Sequence, residues 1–221
     1  MPSEAGRIAV PILLWGASGH ARVVADIVRM VGEYEIVGFL DDVSPERRGQ
    51  AFCGSRILGG EEQLPLLYQQ GVRHIIMAFG DCAARLRLSE VAVNSGLRLA
   101  RALHPASTLA SDVDIGDGTV VMAGAVINAG SVIGRNVIVN TAATIDHECG
   151  IAEGVHISPG AHLGGQVNVG RGTWIGIGAT IRDKITVGEW AIIGAGAVVV
   201  QDIPAGVVAF GVPAKVVRAI P

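Results

Sequence analysis

From Leu103 to Val199 every sixth residue is Ile, Val or Leu, a run of seventeen positions (Leu103, Leu109, Ile115, Val121, Ile127, Ile133, Val139, Ile145, Ile151, Ile157, Leu163, Val169, Ile175, Ile181, Val187, Ile193, Val199). These three residue types make up 65 of the 221 residues, so a single phase would fill by chance about once in a billion trials. In most repeats a small or β-branched residue stands two before the aliphatic one, as Ala125, Ser131, Ala143, Cys149 and Thr173 do. Side chains two apart on a strand share a face, so both point inward. Gly often follows directly (Gly116, Gly134, Gly164, Gly170, Gly176, Gly188, Gly194), which predicts a corner with little room. A period of six does not match the 3.6-residue helical turn, and Gly at this density would cost a helix about 1 kcal/mol at each occurrence. Each hexapeptide is therefore one short strand and one corner. Three of them close an 18-residue coil, and coils stack at roughly 4.8 Å.

Ahead of the repeats the pattern changes. Ile8 to Trp15 reads as a buried strand, followed by Gly16-Ala17-Ser18-Gly19-His20 and a helix with Val23, Val24, Ile27 and Val28 on one face. Ile36 to Leu40, ending in Asp41-Asp42, and His74 to Phe79, ending in Gly80-Asp81, predict two more strands; Glu61 to Gln70 and Ala83 to Gly96 predict helices. Alternating strands and helices imply a small parallel sheet with a ligand crevice beyond the carboxyl ends of its strands. The chain thus divides into an α/β, Rossmann-like domain over 1–102 and a parallel β-helix over 103–221. As a dinucleotide fingerprint the glycine turn is incomplete, since Ser18 and Ala21 stand where Gly would be needed. It still offers backbone N–H groups and a helix N-terminus to a polar or phosphorylated ligand; a purely structural turn is the alternative. Asp42 reads as a grip on a sugar hydroxyl or amine, or as an exposed strand-end acid.

A net charge of −3 argues against nucleic acid or a membrane surface as partner. From Gln166 onward five basic residues (Arg171, Arg182, Lys184, Lys215, Arg218) face three acidic ones (Asp183, Glu189, Asp202), which favours an anionic ligand there or marks a solvated face. Three cysteines at irregular spacing, Cys53, Cys82 and Cys149, speak for a reducing compartment and against a disulfide frame or zinc site. No apolar run reaches the roughly 18 residues of a membrane span, and Ile8 to Trp15 lacks the basic flank of a leader, so a cytoplasmic protein is expected.

Candidate chemistry sits at one corner, Asp146-His147-Glu148. An imidazole with a carboxylate beside it suits a general base. Gly165 lies 18 residues on, one coil above, where its backbone N–H can face the same cleft. A base and an amide donor are the minimum for acyl transfer: one serves the nucleophile, the other the oxyanion. His156 and His162 precede aliphatic positions and point outward, as ligand contacts or as exposed faces. Trp174, in the same phase, reads as covering an interface. Cys149 takes an inward position and belongs to the core, which removes a His-Cys nucleophile.

Gly16-Ala17-Ser18-Gly19-His20-Ala21, Leu40-Asp41-Asp42, His104-Pro105, Asp146-His147-Glu148-Cys149, Pro159-Gly160-Ala161 and Gly211-Val212-Pro213-Ala214-Lys215 together resemble the bacterial sugar O-/N-acyltransferases of the sialic-acid O-acetyltransferase type. That family includes acetyltransferases acting on nucleotide-linked 4-amino sugars, as in bacillosamine and perosamine synthesis. The resemblance implies a left-handed β-helix, acetyl-CoA as co-substrate without a metal, and a homotrimer with each site shared between subunits. It makes His147 the general base and Glu148 the carboxylate that tunes it. His156, Gly165 and Ile177 match acetyl-CoA contacts, and Ala195 stands where the family has a Gly offering its amide. Lys215 lies in the segment near the CoA tail. Ser18, Gly19, His20, Asp42 and Gly80 match nucleotide-sugar contacts. The expected reaction is acetyl transfer to the amine of a nucleotide-linked amino sugar, with O-acetylation of a sialic acid or related sugar as the alternative.

Two rival classes remain. A metal hydrolyase like the γ-type carbonic anhydrases would need His147, His156 and His162 to converge, although they occupy different phases of the repeat. A non-catalytic nucleotide-sugar sensor would bind the sugar nucleotide and release no CoA.

Overall fold

The computed structural model describes residues 9–220 and divides them into two compact units, one formed by the chain up to Phe79 with Val91–Leu99, the other by Gly80–Glu90 with the chain from Ala100 on. The expected start of the first strand at Ile8 lies outside the described residues.

In the first unit β1 (Val10–Trp15), β2 (Tyr34–Leu40), β3 (Ala51–Phe52), β4 (Ser55–Gly59), β5 (His74–Met77) and β6 (Arg98–Leu99) form one sheet in the order β3-β4-β2-β1-β5-β6. All pairings are parallel except β3 with β4. Ile12, Leu13 and Leu14 are fully buried, as a central strand covered on both faces requires. Helix α1 (Gly19–Val31) buries Ala21, Val24, Ala25, Ile27 and Val28. The expected inclusion of Val23 in that face is corrected: it is 43% exposed, because a 100° step from Val24 turns it away from the sheet. A 3₁₀ turn (Glu61–Gln63) leads into α2 (Leu64–Gln69), and α3 spans Cys82–Asn94. The hairpin of β3 and β4 was not expected. Its turn puts Cys53 and Gly54 at φ 44° and 73°, the pair of positive angles a two-residue hairpin needs, with Cys where Asn or Asp would signal it.

In the second unit each of the seventeen periodic aliphatic residues ends a two-residue strand. Strands 18 residues apart pair in parallel, Val121 with Val139, Ile127 with Ile145, Ile133 with Ile151, giving three sheets. Their inward side chains form a continuous core, with Ile127, Ile145, Ile157, Ile175 and Ile193 all at 0% exposure. An antiparallel pair, Val207–Gly211 with Ala214–Ala219, closes the largest sheet.

The corners correct the reading of the glycines. The Gly directly after the aliphatic residue is not the turning residue; a Cβ on Gly134 or Gly164 would stand 2.8 or 2.7 Å from a backbone nitrogen of the next coil, so these glycines permit close stacking. The left-handed residue comes two positions later, at every corner from Gly118 to Gly196. Asn136, Ala142, Glu148, Gln166, Lys184 and Trp190 hold that conformation without being Gly.

Inside the prism, hydroxyls at the position before the strand pin the next corner. Ser131 Oγ donates to Asp146 O (2.9 Å) and accepts from Cys149 N (3.1 Å); Thr119 and Thr173 make the same pair of bonds on another face of the prism. Ser131→Ala would leave a buried carbonyl and amide unpaired beneath the Asp146–Glu148 corner. It is expected to cost about 1–3 kcal/mol, read as a lowered denaturant midpoint.

Candidate functional site

The 145–148 corner is built by hydrogen bonds to the coils on either side. Asp146 Oδ1 accepts from Asn128 Nδ2 (2.9 Å) of the coil below and from the His147 amide (2.8 Å), and these donors hold its carboxyl below the usual carboxylate range. Glu148 Oε2 accepts from Gln166 Nε2 (3.0 Å) of the coil above and stands 3.0 Å from His147 Nδ1. The Gln166 bond first, and the His147 bond second, likewise hold Glu148 below its ordinary range. An ionised Glu148 can only accept, so His147 carries its proton on Nδ1 and presents Nε2 as a free acceptor.

That nitrogen lies over Gly165: a Cβ there would stand 2.6 Å from Nε2 and 2.7 Å from Cε1 of His147. The coil bonds at this level run from Gly164 N to Ile181 O and from Gln166 N to His147 O, leaving the Gly165 amide between them outside that ladder. His147, Gln166, His162, Arg182 and Lys184 line one open depression of about 700 Å³. Around this cleft stand a proton acceptor, a backbone amide outside the coil ladder, two cations (Arg182, Lys184) and two carboxylates (Asp146, Asp183), a mixed-charge lining that holds the base and the amide donor acyl transfer needs.

Of the other predicted contacts, His162 lines the same depression and the rest fall elsewhere. His162 Nδ1 bonds Thr144 Oγ1 (2.9 Å) and is exposed on the sheet between two edges. Ile177 and Ala195 are exposed and stack one above the other on the neighbouring edge, joined by Gly196 N to Ile177 O (2.8 Å). One chain therefore does not bring Ile177 and Ala195 to the His147 edge. Lys215 is exposed on the terminal hairpin.

His156 is not an exposed face: it is 5% exposed, stacked on Trp174 with ring centroids 4.8 Å apart. Asn140 Oδ1 accepts from Thr141 N (2.8 Å), which turns its Nδ2 toward His156 Nε2 (3.2 Å) and makes Nδ1 the donor to Gly80 O (3.3 Å). The same Gly80 carbonyl accepts from Arg85 (2.7 Å). Arg85 is 1% exposed and also donates to Asn136 O (2.9 Å) and Gly154 O (2.7 Å), so the start of α3 is clamped to two corners of the coil; burial pushes its pKa down. Nothing in the sequence singled out Arg85, which is one arginine on a helix of mixed polarity.

In the first unit Ser18 is the exposed N-cap residue of α1, without a side-chain capping bond. Gly19 opens the helix with free space where a Cβ would point, and His20 is half-buried. The turn is tight, since a Cβ on Gly16 would meet Ala78 O at 2.7 Å. With β2 and β5 flanking β1, this is where the strand order reverses, the place at which such sheets take ligands. Asp42 lies at the end of β2 and is exposed, but its carboxylate already accepts from Trp15 Nε1 (2.6 Å) and Glu61 N (2.8 Å). Arg47, missed in the sequence, ties Asp41 Oδ2 (3.0 Å) to the turn through Ala17 O (2.9 Å).

Cys149 is buried with its thiol 3.2 Å from Gly164 O, and burial pushes its pKa up, as it does for Cys82. Iodoacetamide is therefore expected to modify the half-buried Cys53 alone in the folded protein and all three cysteines after unfolding, counted by intact mass. Among the described residues no group of three or more His, Cys, Asp or Glu could hold a metal ion, and His147, His156 and His162 each bond a different partner. No helix among the described residues is long and apolar enough to cross a membrane.

Residues 11–92 match the family described as the PglD N-terminal domain, and residues 166–201 match the bacterial transferase hexapeptide (six repeats). Perosamine N-acetyltransferase from Caulobacter crescentus, solved with CoA and GDP-perosamine, is 37% identical over 96% of this chain and 98% of its own, with a TM-score of 0.90. The acetyltransferase domain of PglB from Neisseria gonorrhoeae, solved in complex with acetyl coenzyme A, is 42% identical over 95% of this chain and 100% of its own, with a TM-score of 0.88. WeeI from Acinetobacter baumannii shares the fold at 24% identity, with a TM-score of 0.83 over 95% of this chain and 100% of its own.

Proposed function

The chain belongs to the sugar acyltransferases that join a PglD N-terminal domain to hexapeptide transferase repeats, and from this premise we propose that it transfers acetyl from acetyl-CoA to the amine of a nucleotide-linked amino sugar. The observation that carries the reading is the His147 ring, with Nδ1 on Glu148 and a free Nε2 over Gly165. His147 Nε2 takes the proton as the amine nitrogen attacks the thioester carbonyl. The Gly165 amide donates to the oxyanion, the C–S bond breaks, and an amide and CoA result. No acyl-enzyme forms, in keeping with the buried Cys149 thiol.

The first unit takes the sugar nucleotide, through Ser18, Gly19, His20 and Asp42; Gly80, expected as a further contact, belongs to the second unit. The β-helix domain over 103–221 takes acetyl-CoA. The separation of Ile177 and Ala195 from the His147 edge supports a homotrimer in which the groove is completed by a neighbouring subunit, with Lys215 toward the CoA tail. His156 acts there from a buried position, by its fixed ring and backbone. Two solved forms of the Caulobacter relative carry a substituted histidine, which fits a central role for an imidazole in that enzyme.

The test is acetyl-CoA with UDP-, GDP- and dTDP-linked amino sugars, free CoA being the readout. Release with one of them, absent with the corresponding hydroxyl sugars, is expected. Release only with sialic acid or related hydroxyl acceptors would replace the reading by O-acetylation, and binding of sugar nucleotide without any CoA release would replace it by a sensor.

A further inference from the structure

Glu148 is 60% exposed as a side chain, so nothing packs it into the orientation that meets His147. Its hold comes from the next coil. Gln166 stands 18 residues on in the same phase, and its Nε2 donates to Oε2, the oxygen that also faces the His147 Nδ1–H. Both residues occupy the left-handed corner position, at φ 57° and 60°, where Gly118, Gly130, Gly154 and Gly172 avoid the steric cost that an L side chain carries. The Gln166 amide is further tied to His147 O (2.8 Å), so the two corners move as one.

We propose that Gln166 is a positioning residue for acyl transfer: it fixes the Glu148 carboxylate against the His147 Nδ1–H and thereby aims Nε2 into the cleft. This rests on the reading of His147 and Glu148 given above. A structural role for the side chain is separable from it. The backbone bond to His147 O survives in Gln166→Ala, and Ala142 holds the same corner conformation, at φ 55°.

Gln166→Ala is expected to lower kcat roughly tenfold, leaving the unfolding midpoint where it is. The carboxyl titration of Glu148, followed by ¹³C NMR, is expected to move to higher pH: a hydrogen bond to the ionised form holds a carboxyl pKa down, so its loss raises it. Because Gln166 acts through Glu148, the double variant Glu148→Ala/Gln166→Ala should be no slower than Glu148→Ala alone. Losses that multiply in the double variant, an unmoved Glu148 titration, or wild-type turnover in Gln166→Ala would each overturn the proposal. Full turnover in Glu148→Ala and His147→Ala would instead overturn the underlying function, which keeps the two failures apart.

Discussion

Replacing His147 by Ala is expected to lower kcat by about 10² to 10⁴, the usual worth of a positioned general base, with the fold unchanged. The side chain is 56% exposed and makes one side-chain bond, to Glu148. The bonds that shape the corner are made by its backbone, from His147 N to Asp146 Oδ1 and from Gln166 N to His147 O, and an alanine keeps both. The position is the one before the left-handed residue, so the substitution adds no backbone strain either. CoA release under saturating acetyl-CoA and acceptor, set beside a thermal unfolding curve, separates the two effects. A variant that unfolds normally and turns over at the wild-type rate would remove His147 from the mechanism.

The prism was legible because a period of six admits one reading, and each aliphatic position became the end of a strand. The corner chemistry was legible in part. Position 147 could be placed on an edge and position 165 above it by counting 18, since stacking repeats the coil without slippage. What the count could not supply was why glycines recur. Those directly after the aliphatic residue and those two positions later look alike in sequence, yet Gly164 makes room for the next coil while Gly154 adopts the left-handed turn. His156 was placed correctly on an outward face, but what covers that face, the segment from Gly80 to Glu90 with Arg85 at its centre, is joined to it only in space. Gln166 escaped notice for a related reason: a polar corner residue acquires meaning only from the carboxylate one coil away. In the sheet unit the strands that carry the crevice were found, whereas the short hairpin of β3 and β4 lacked the turn residues that announce one.

The contrast between Gly164 and Gly165 yields the second large effect. Gly165→Ala would set a methyl 2.6 Å from His147 Nε2 and 2.7 Å from Cε1, closer than side-chain carbons approach in folded proteins. The atoms in the way are the end of a flexible, half-solvated side chain, so the ring moves and the coil does not. A displacement of about 1 Å at a reacting group costs on the order of 10²-fold in rate. Gly165→Ala should therefore unfold like the wild type while losing most of its turnover. Gly164→Ala meets a backbone nitrogen and Cα of Asp183, at 2.7 and 3.1 Å, which cannot step aside without separating two coils. It is expected to lose about 1–3 kcal/mol of stability, seen as a lower denaturant midpoint. Adjacent methyl groups would then give opposite phenotypes, one kinetic and one thermodynamic. That outcome requires the imidazole to rest on the bare Cα of Gly165; wild-type kcat in Gly165→Ala, or a crystal structure of that variant with the ring unmoved, would show that it does not.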